Sequence, residues 1–414
     1  MHLFMRTAAT ALMLMTLSAC SMVSGLWSDE TAAKQADQSS NELSHSMAED
    51  TTPSVQAIRQ LASTAGSIDI RWRNNVDYRQ PASPLGFSLP AALQTPQGER
   101  IVIGGQDQRA RIFDADGSEL ARIGLAAASE SGVLLLSNGL AVLGDLGGTL
   151  YGLDIEQAKI VWRFTLSSAL IGSPVLVDDG FVVQTSNNQI YRFSNDGKKL
   201  WSYSGLLGGL SMHLTPSPVV HKGRIYAALS NGDVVALKAA NGSFVWKRQL
   251  LLSNKAAVMS ELKVPVAQPL LITAQQSGRD EDVLLVSVFQ GEMSFLSLQD
   301  GSTLSNRLLS LKSAPLLVGK QVFVADTSGA VSALNPASGE TLWKQQLTAG
   351  ELTGPALWQG DLWVADDKAM VYRLSQSGKL LAVTELDGRI DRAPVAAQDG
   401  VLVRNNLGAL YMLR

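Results

Sequence analysis

Apolar and polar residues alternate in short runs along most of this chain, and small turn residues separate the runs. The pattern is cleanest between Ser313 and Leu347. There, APLLVG, QVFVADTS, AVSALNP and ETLWKQQL read as four half-buried strands. A Pro opens the first, and Ser328-Gly329 and Ser338-Gly339 mark turns. Such a unit cannot bury its own faces and requires copies of itself on either side.

The chain supplies those copies. Alignment on the opening Pro and the closing Trp gives repeats at 89–125, 131–166, 172–205, 216–250, 267–309, 313–347, 353–386 and 392–414. Successive openings lie about 39 to 51 residues apart, the length of one propeller blade. The last copy stops after three strands. Its missing strand stands at the other end of the chain, where IDIRWRNNV places Trp72 as Trp343 is placed in ETLWKQQL. An N-terminal strand that completes the C-terminal blade closes a ring and removes free sheet edges. A solenoid would leave both ends to be capped and would not explain the split blade. The prediction is all-β: an eight-bladed propeller of four-stranded antiparallel blades over residues 67–414.

Trp72, Trp162, Trp201, Trp246 and Trp343 share one register on the last strands; the other copies carry Ala121, Ser305 and Ala382. Indoles at blade period invite an aromatic-cage or cofactor reading. Packing between blades is the expected role, because aromatic rings at one register of a repeat form core. The prolines at 174, 218, 269, 315, 355 and 394 are expected to begin first strands, where a missing N–H is tolerated. Asn-Gly, Asp-Gly and Ser-Gly pairs are hairpin turns, not phosphate loops, and the Gly-Gly pairs precede no helix.

Residues ahead of the ring change the picture. Arg6 precedes an apolar run, Ala8 to Leu17, that ends in Leu17-Ser18-Ala19-Cys20. This is the form of a bacterial lipoprotein signal, with residues 1–19 removed and Cys20 lipidated. An ordinary secretory signal or a short anchor is the alternative. Ser21, not Asp, follows the cysteine and points to an outer-membrane address on the periplasmic face. Residues 20–66 are polar and read as a flexible lipidated tether. More than one acyl chain gives stable anchoring.

Cys20 is the only cysteine, so no internal disulfide and no multi-cysteine metal or iron–sulfur site is available. The net charge of -3, about -4 without the signal, gives no nucleic-acid signature. His213 and His221 stand in different elements and do not form a ligand pair. There is no G-x-S-x-G, H-E-x-x-H or Walker loop. No catalytic residue, cofactor or metal is assigned.

Two connections depart from the repeat. Leu206, Leu207, Leu210, Met212 and Leu214 crowd the one after the third copy. Leu250, Leu251, Leu252, Val258, Met259 and Leu262 crowd the next. Apolar residues in long connections mark a partner surface; the competing reading folds them back over the propeller end. Arg279-Asp280-Glu281-Asp282 extends a hairpin of the fifth copy and is expected to be a solvated charged tip.

The unit G-x-v-x-A-L-(N/D)-x-x-(S/T)-G-x-x-x-W, at Gly329 to Trp343 and at Gly232 to Trp246, resembles the repeat of quinoprotein-type propellers. Two families share it: the PQQ-dependent alcohol dehydrogenases and the BamB (YfgL) lipoproteins of outer-membrane barrel assembly. The dehydrogenases carry a vicinal Cys pair and long insertions that are missing here, and a calcium ligand set to which no Asp, Asn or Glu cluster of this chain can be assigned from sequence. The BamB resemblance covers residues 67–414, with the lipidation signal in addition. It implies a non-catalytic scaffold that binds the BamA-type barrel subunit and its complex, with extended strands of unfolded outer-membrane proteins as further ligands. A scaffold serving another envelope partner is the remaining alternative. The family's BamA contact pattern, Leu-x-Leu-Arg, falls on Leu210, Met212 and His213, so two of three positions are apolar and the Arg is replaced. Leu206, Leu207, Leu214, Leu252 and Leu262 complete the expected partner surface. The family's two Asp ahead of the next Pro correspond to Val264 and Val266.

Overall fold

The computed structural model describes residues 63–77, 88–207, 214–250 and 264–414. It contains eight antiparallel blades of four strands. Blade 1 is built from Ala91–Thr95, Gly98–Gly104, Arg109–Asp114 and Glu119–Gly124. In blades 1 to 7 the strands pair in chain order, as expected for successive hairpins. Blade 8 breaks the order. Val395–Ala397, Gly400–Arg404 and Ala409–Leu413 are completed by Ile70–Asn75 from the other end of the chain. Trp72 pairs with Met412 and Asn75 with Ala409, and Asp69 and Arg414 exchange backbone hydrogen bonds at 3.0 and 2.9 Å. The N-terminal strand therefore closes the ring.

The core is not one mass. Eight hydrophobic clusters form, each between two consecutive blades. A middle strand thus has an apolar neighbour on each face, and strands such as Gly180–Gln184 and Val283–Ser287 are buried throughout. Only outer strands show strict alternation of half-buried and exposed positions, as in Lys159–Thr165.

Four of the five tryptophans donate from Nε1 to a carbonyl in the next blade. Trp72 reaches Ala115 (3.2 Å), Trp201 Ala239 (2.9 Å), Trp246 Leu298 (3.1 Å) and Trp343 Gln376 (3.0 Å). Trp162 lies against Gly197 and Gly152 without such a bond. Each indole rests on a turn glycine of the following blade. At Gly301, with φ of +75°, an added Cβ would stand 2.5 Å from the Trp246 ring, so both the turn and the contact demand glycine.

The three joints without Trp are filled differently. Beside Ala121, the next blade's own turn inserts Ile155. Beside Ser305, the Phe295 ring lies against Gly339, and Arg307 Nη1 donates to the Gly339 carbonyl (2.7 Å). Beside Ala382, the chain's N-terminal arm takes the space. Gly66–Ser67 pairs in parallel with Leu380–Glu385, Gly66 opposite Ala382, and Ile68 is buried between blades 7 and 8. Blade 7 is therefore five-stranded.

Two expectations need correction. Pro355 does not begin its strand. It lies inside Leu352–Trp358, at a register irregularity between Thr353 and Ala356 where the ladder asks for no N–H. The other five prolines directly precede first strands at 175, 219, 270, 316 and 395. The charged segment of blade 5 is not a solvated tip. A short helix, Ala274–Ser277, precedes it behind a Thr273 capping box. Arg279 Nε donates to Ala337 O of blade 6 (2.6 Å), and Asp282 bonds Lys222 (2.7 Å) and His221 (2.9 Å) of blade 4. The segment ties three blades together because its charges find partners on both sides.

Candidate functional site: the connections after blades 3 and 4

Blade 3 ends at Ser204, and the chain crosses toward blade 4 through Gly205, Leu206 and Leu207. Asn188, in the adjacent turn at φ of +62°, holds this crossing. Its backbone carbonyl accepts from Gly205 N (3.0 Å). Its Nδ2 donates to Leu206 O (2.7 Å) and to Ser230 Oγ of blade 4 (2.8 Å), and its Oδ1 accepts from Ser230 N (2.9 Å). The backbone is thereby fixed against the propeller while the side chains point away from it. Leu206 and Leu207 are 69% and 70% exposed. Single exposed leucines are ordinary, but two adjacent ones on a clamped backbone form a small apolar projection.

Leu214, at the far side of this connection, is half-buried, and Thr215, Pro216, Ser217 and Pro218 lead inward to blade 4. Leu210, Met212 and His213 lie outside the described residues, as do Leu252, Leu262 and Cys20. Leu250 packs partly into the cluster between blades 4 and 5. Val264 and Val266 are 3% and 4% exposed, and Val264 O accepts from Phe289 N (2.9 Å). These two valines belong to the interior, so an apolar residue suits both positions and neither presents a surface group.

A charge cluster that perturbs a titration stands at the blade 4–5 joint. There Lys222, the Ala274 N–H and His221 hold the Asp282 carboxyl well below the usual carboxylate range. Among the described residues no group of three or more His, Cys, Asp or Glu is placed to hold a metal, and no helix is long and apolar enough to cross a membrane.

Sequence reasoning missed three features. The Asn188 clamp carries no signal beyond an Asn in a turn. The Asp282 tie depends on residues sixty positions apart in the chain, as His221 and Lys222 show. A cavity on the ring axis, lined in part by Lys312, Asp391 and Arg392, is assembled from six blades and has no local motif.

The fold is that of a quinoprotein-type repeat propeller whose crossing after blade 3 exposes Leu206 and Leu207. The family model described as outer membrane protein assembly factor BamB matches residues 106–331 and 327–413. The chain belongs to that family. It is 22% identical over 285 residues to the outer membrane protein assembly factor BamB of Yersinia pestis, covering 68% of this chain and 70% of that protein. Against the BamB of Shewanella oneidensis it is 22% identical over 287 residues, with the same coverage. The crystal structure of BamB from Moraxella catarrhalis superimposes with a TM-score of 0.70 at 18% identity, over 84% of this chain and 99% of that one.

Proposed function

We propose that this chain is a non-catalytic scaffold lipoprotein of outer-membrane barrel assembly, anchored through Cys20 to the periplasmic face of the outer membrane. Its partner is the BamA-type barrel subunit, engaged through the connections after blades 3 and 4. The observation that carries the reading is the Leu206–Leu207 projection, held outward by Asn188 in a chain of the BamB family. A backbone pinned by two hydrogen bonds to Asn188, itself tied to Ser230 by two more, presents its apolar side chains at low ordering cost, which favours docking. Leu210, Met212, His213 and Leu214 continue the same crossing, and Leu252 and Leu262 belong to the next.

The reading assigns no cofactor, metal or nucleic acid. Extended strands of unfolded outer-membrane proteins are secondary ligands, because among the described residues each blade but the seventh leaves its outer strand unpaired on one side.

The experiment is a pull-down of the native lipoprotein from detergent-solubilised membranes. The BamA-type subunit is expected in the wild-type eluate. Its absence there overturns the function. Retention by a Leu206→Asp, Leu207→Asp, Leu210→Asp, Met212→Asp variant overturns the site and leaves the function standing.

A further inference from the structure

Among the described residues, each blade except the seventh ends in an outer strand with no partner strand on its far side. A bare edge recruits other chains, and charged side chains are a common means of preventing that. The eight outer strands can be compared position by position, because each carries a one-residue register shift just ahead of the indole position. In five blades the residue after that position is a cation: Arg73, Arg122, Arg163, Lys247 or Lys344. It is Ser202 in blade 3, Asn306 in blade 5 and Val383 in blade 7.

Blade 7 shows what an uncharged edge can do. It has neither indole nor cation, and its outer strand accepts Gly66–Ser67 opposite Ala382 and Val383. The chain thus already contains one strand added to an outer edge. Blade 1 lacks only the indole and blade 3 only the cation. Blade 5 lacks both. In its outer strand, Thr303–Leu308, Ser305 stands at the indole position and Asn306 follows it. The one cation of that strand, Arg307, turns into the next joint, where Nη1 donates to Gly339 O (2.7 Å) and Nη2 to Thr341 Oγ1. Asn306 and Leu308 alternate with it and are exposed. Leu308 is 82% exposed, more than any other large apolar side chain among the described residues. The backbone around it is fixed. Leu308 pairs with Glu292, and Ser310 accepts from Gln290 N through its hydroxyl (2.8 Å) and from Thr327 N through its carbonyl (3.0 Å). Blade 5 therefore combines an open edge, no outward cation and an exposed leucine on a rigid backbone.

We infer that the outer strand of blade 5 is the docking edge for an extended, uncharged polypeptide strand. The ligand's main chain pairs with the outward N–H and C=O groups of Thr303–Leu308, as Gly66–Ser67 pairs with blade 7, and one of its apolar side chains rests on Leu308. The inference rests on the extended-strand ligand proposed above and narrows it from seven open edges to one.

The test uses the full-length lipidated protein in detergent and a fluorescein-labelled nonapeptide, Thr-Val-Thr-Val-Gly-Val-Thr-Val-Thr, blocked at its C-terminus and read by fluorescence anisotropy. Saturable binding to wild type is expected. Asn306→Lys with Leu308→Lys gives blade 5 the charge that other edges carry. It should weaken the peptide by about tenfold or more and leave the melting temperature unchanged, since both side chains are exposed. Ser202→Lys on blade 3 should leave the affinity as it is. The same peptide N-methylated at alternate amides should bind about tenfold more weakly, because it cannot complete the ladder. Wild-type affinity in the Asn306→Lys, Leu308→Lys protein overturns the inference and leaves the ligand class to another edge. No binding by wild type removes the ligand class and the inference together, while the assembly role stands or falls by the pull-down alone. Equal binding of the N-methylated peptide overturns strand pairing. Loss of the BamA-type subunit from the double variant's pull-down, or a dimeric wild type that the double substitution makes monomeric, gives the edge to that subunit or to a second copy and overturns the inference as well.

Discussion

Five blade joints are keyed by an indole at one register, and three are not. At the keyed joints the ring lies over a glycine of the next blade, and at four of them its N–H is bonded there as well. At the other three, Ile155 comes from the following turn, Phe295 from the preceding strand, and Ile68 from the far end of the chain. Every joint is full, yet only the keyed ones are filled by the repeat itself. What the ring requires at each joint is apolar volume between two faces, and the residue that delivers it is free to vary.

The comparison breaks first at Trp246, the most buried of the five tryptophans at 7% exposure. Trp246→Ala removes both the ring and its bond to Leu298, and should destabilise by about 3–5 kcal/mol in chemical denaturation. An unchanged midpoint would mean that the indole is ornamental. At the unkeyed joint between blades 7 and 8, Ile68→Ala should cost about 2–4 kcal/mol, although Ile68 lies outside the repeat pattern. A loss near zero would show that the arm rests on blade 7 without filling it.

The next effect concerns charge. Asp282→Asn removes the ionic partner of Lys222 and His221 across the blade 4–5 joint and should cost about 1–2 kcal/mol near neutral pH. The sign with pH follows from the lowered folded pKa. The carboxylate's contribution is present above the unfolded value, roughly 4, and is lost as pH falls through the folded value. Melting temperatures of wild type and variant should therefore differ most near pH 7 and converge toward pH 2. A difference that is constant with pH would assign the effect to packing. The smallest stability effect is expected where partner binding should suffer most. Leu206→Asp with Leu207→Asp should change stability by less than about 0.5 kcal/mol, since both side chains are exposed. The same pair should reduce recovery of the BamA-type subunit in the pull-down. A large fall in melting temperature would mean that these leucines are part of the core.

The architecture was legible from the chain because a repeat states the same pattern many times. The placement of Trp72 against Met412 follows from laying Glu340–Leu347 over Ile68–Val76. The partner surface was legible only as composition. Leu206 and Leu207 stood out as apolar residues in a connection, but their exposure depends on Asn188 and Ser230, which no pattern singles out. The blade 5 segment reads as a solvated tip in sequence because none of its partners is local. Those partners, Lys222, His221 and Ala337, come from the neighbouring blades.

Residue order alone determined the blade count, the repeat's hairpin turns, the split blade and the five indole keys. Each of these depends on contacts between residues near in sequence or on a period shared by all copies. Tertiary structure decided how the three unkeyed joints are filled, which leucines project and where charge is buried at the axis. Those outcomes depend on which segments the closed ring brings within a few ångströms of one another. The fifth strand on blade 7 is the plainest case: nothing in Gly66-Ser67 marks a strand, and only the space beside Ala382 makes it one.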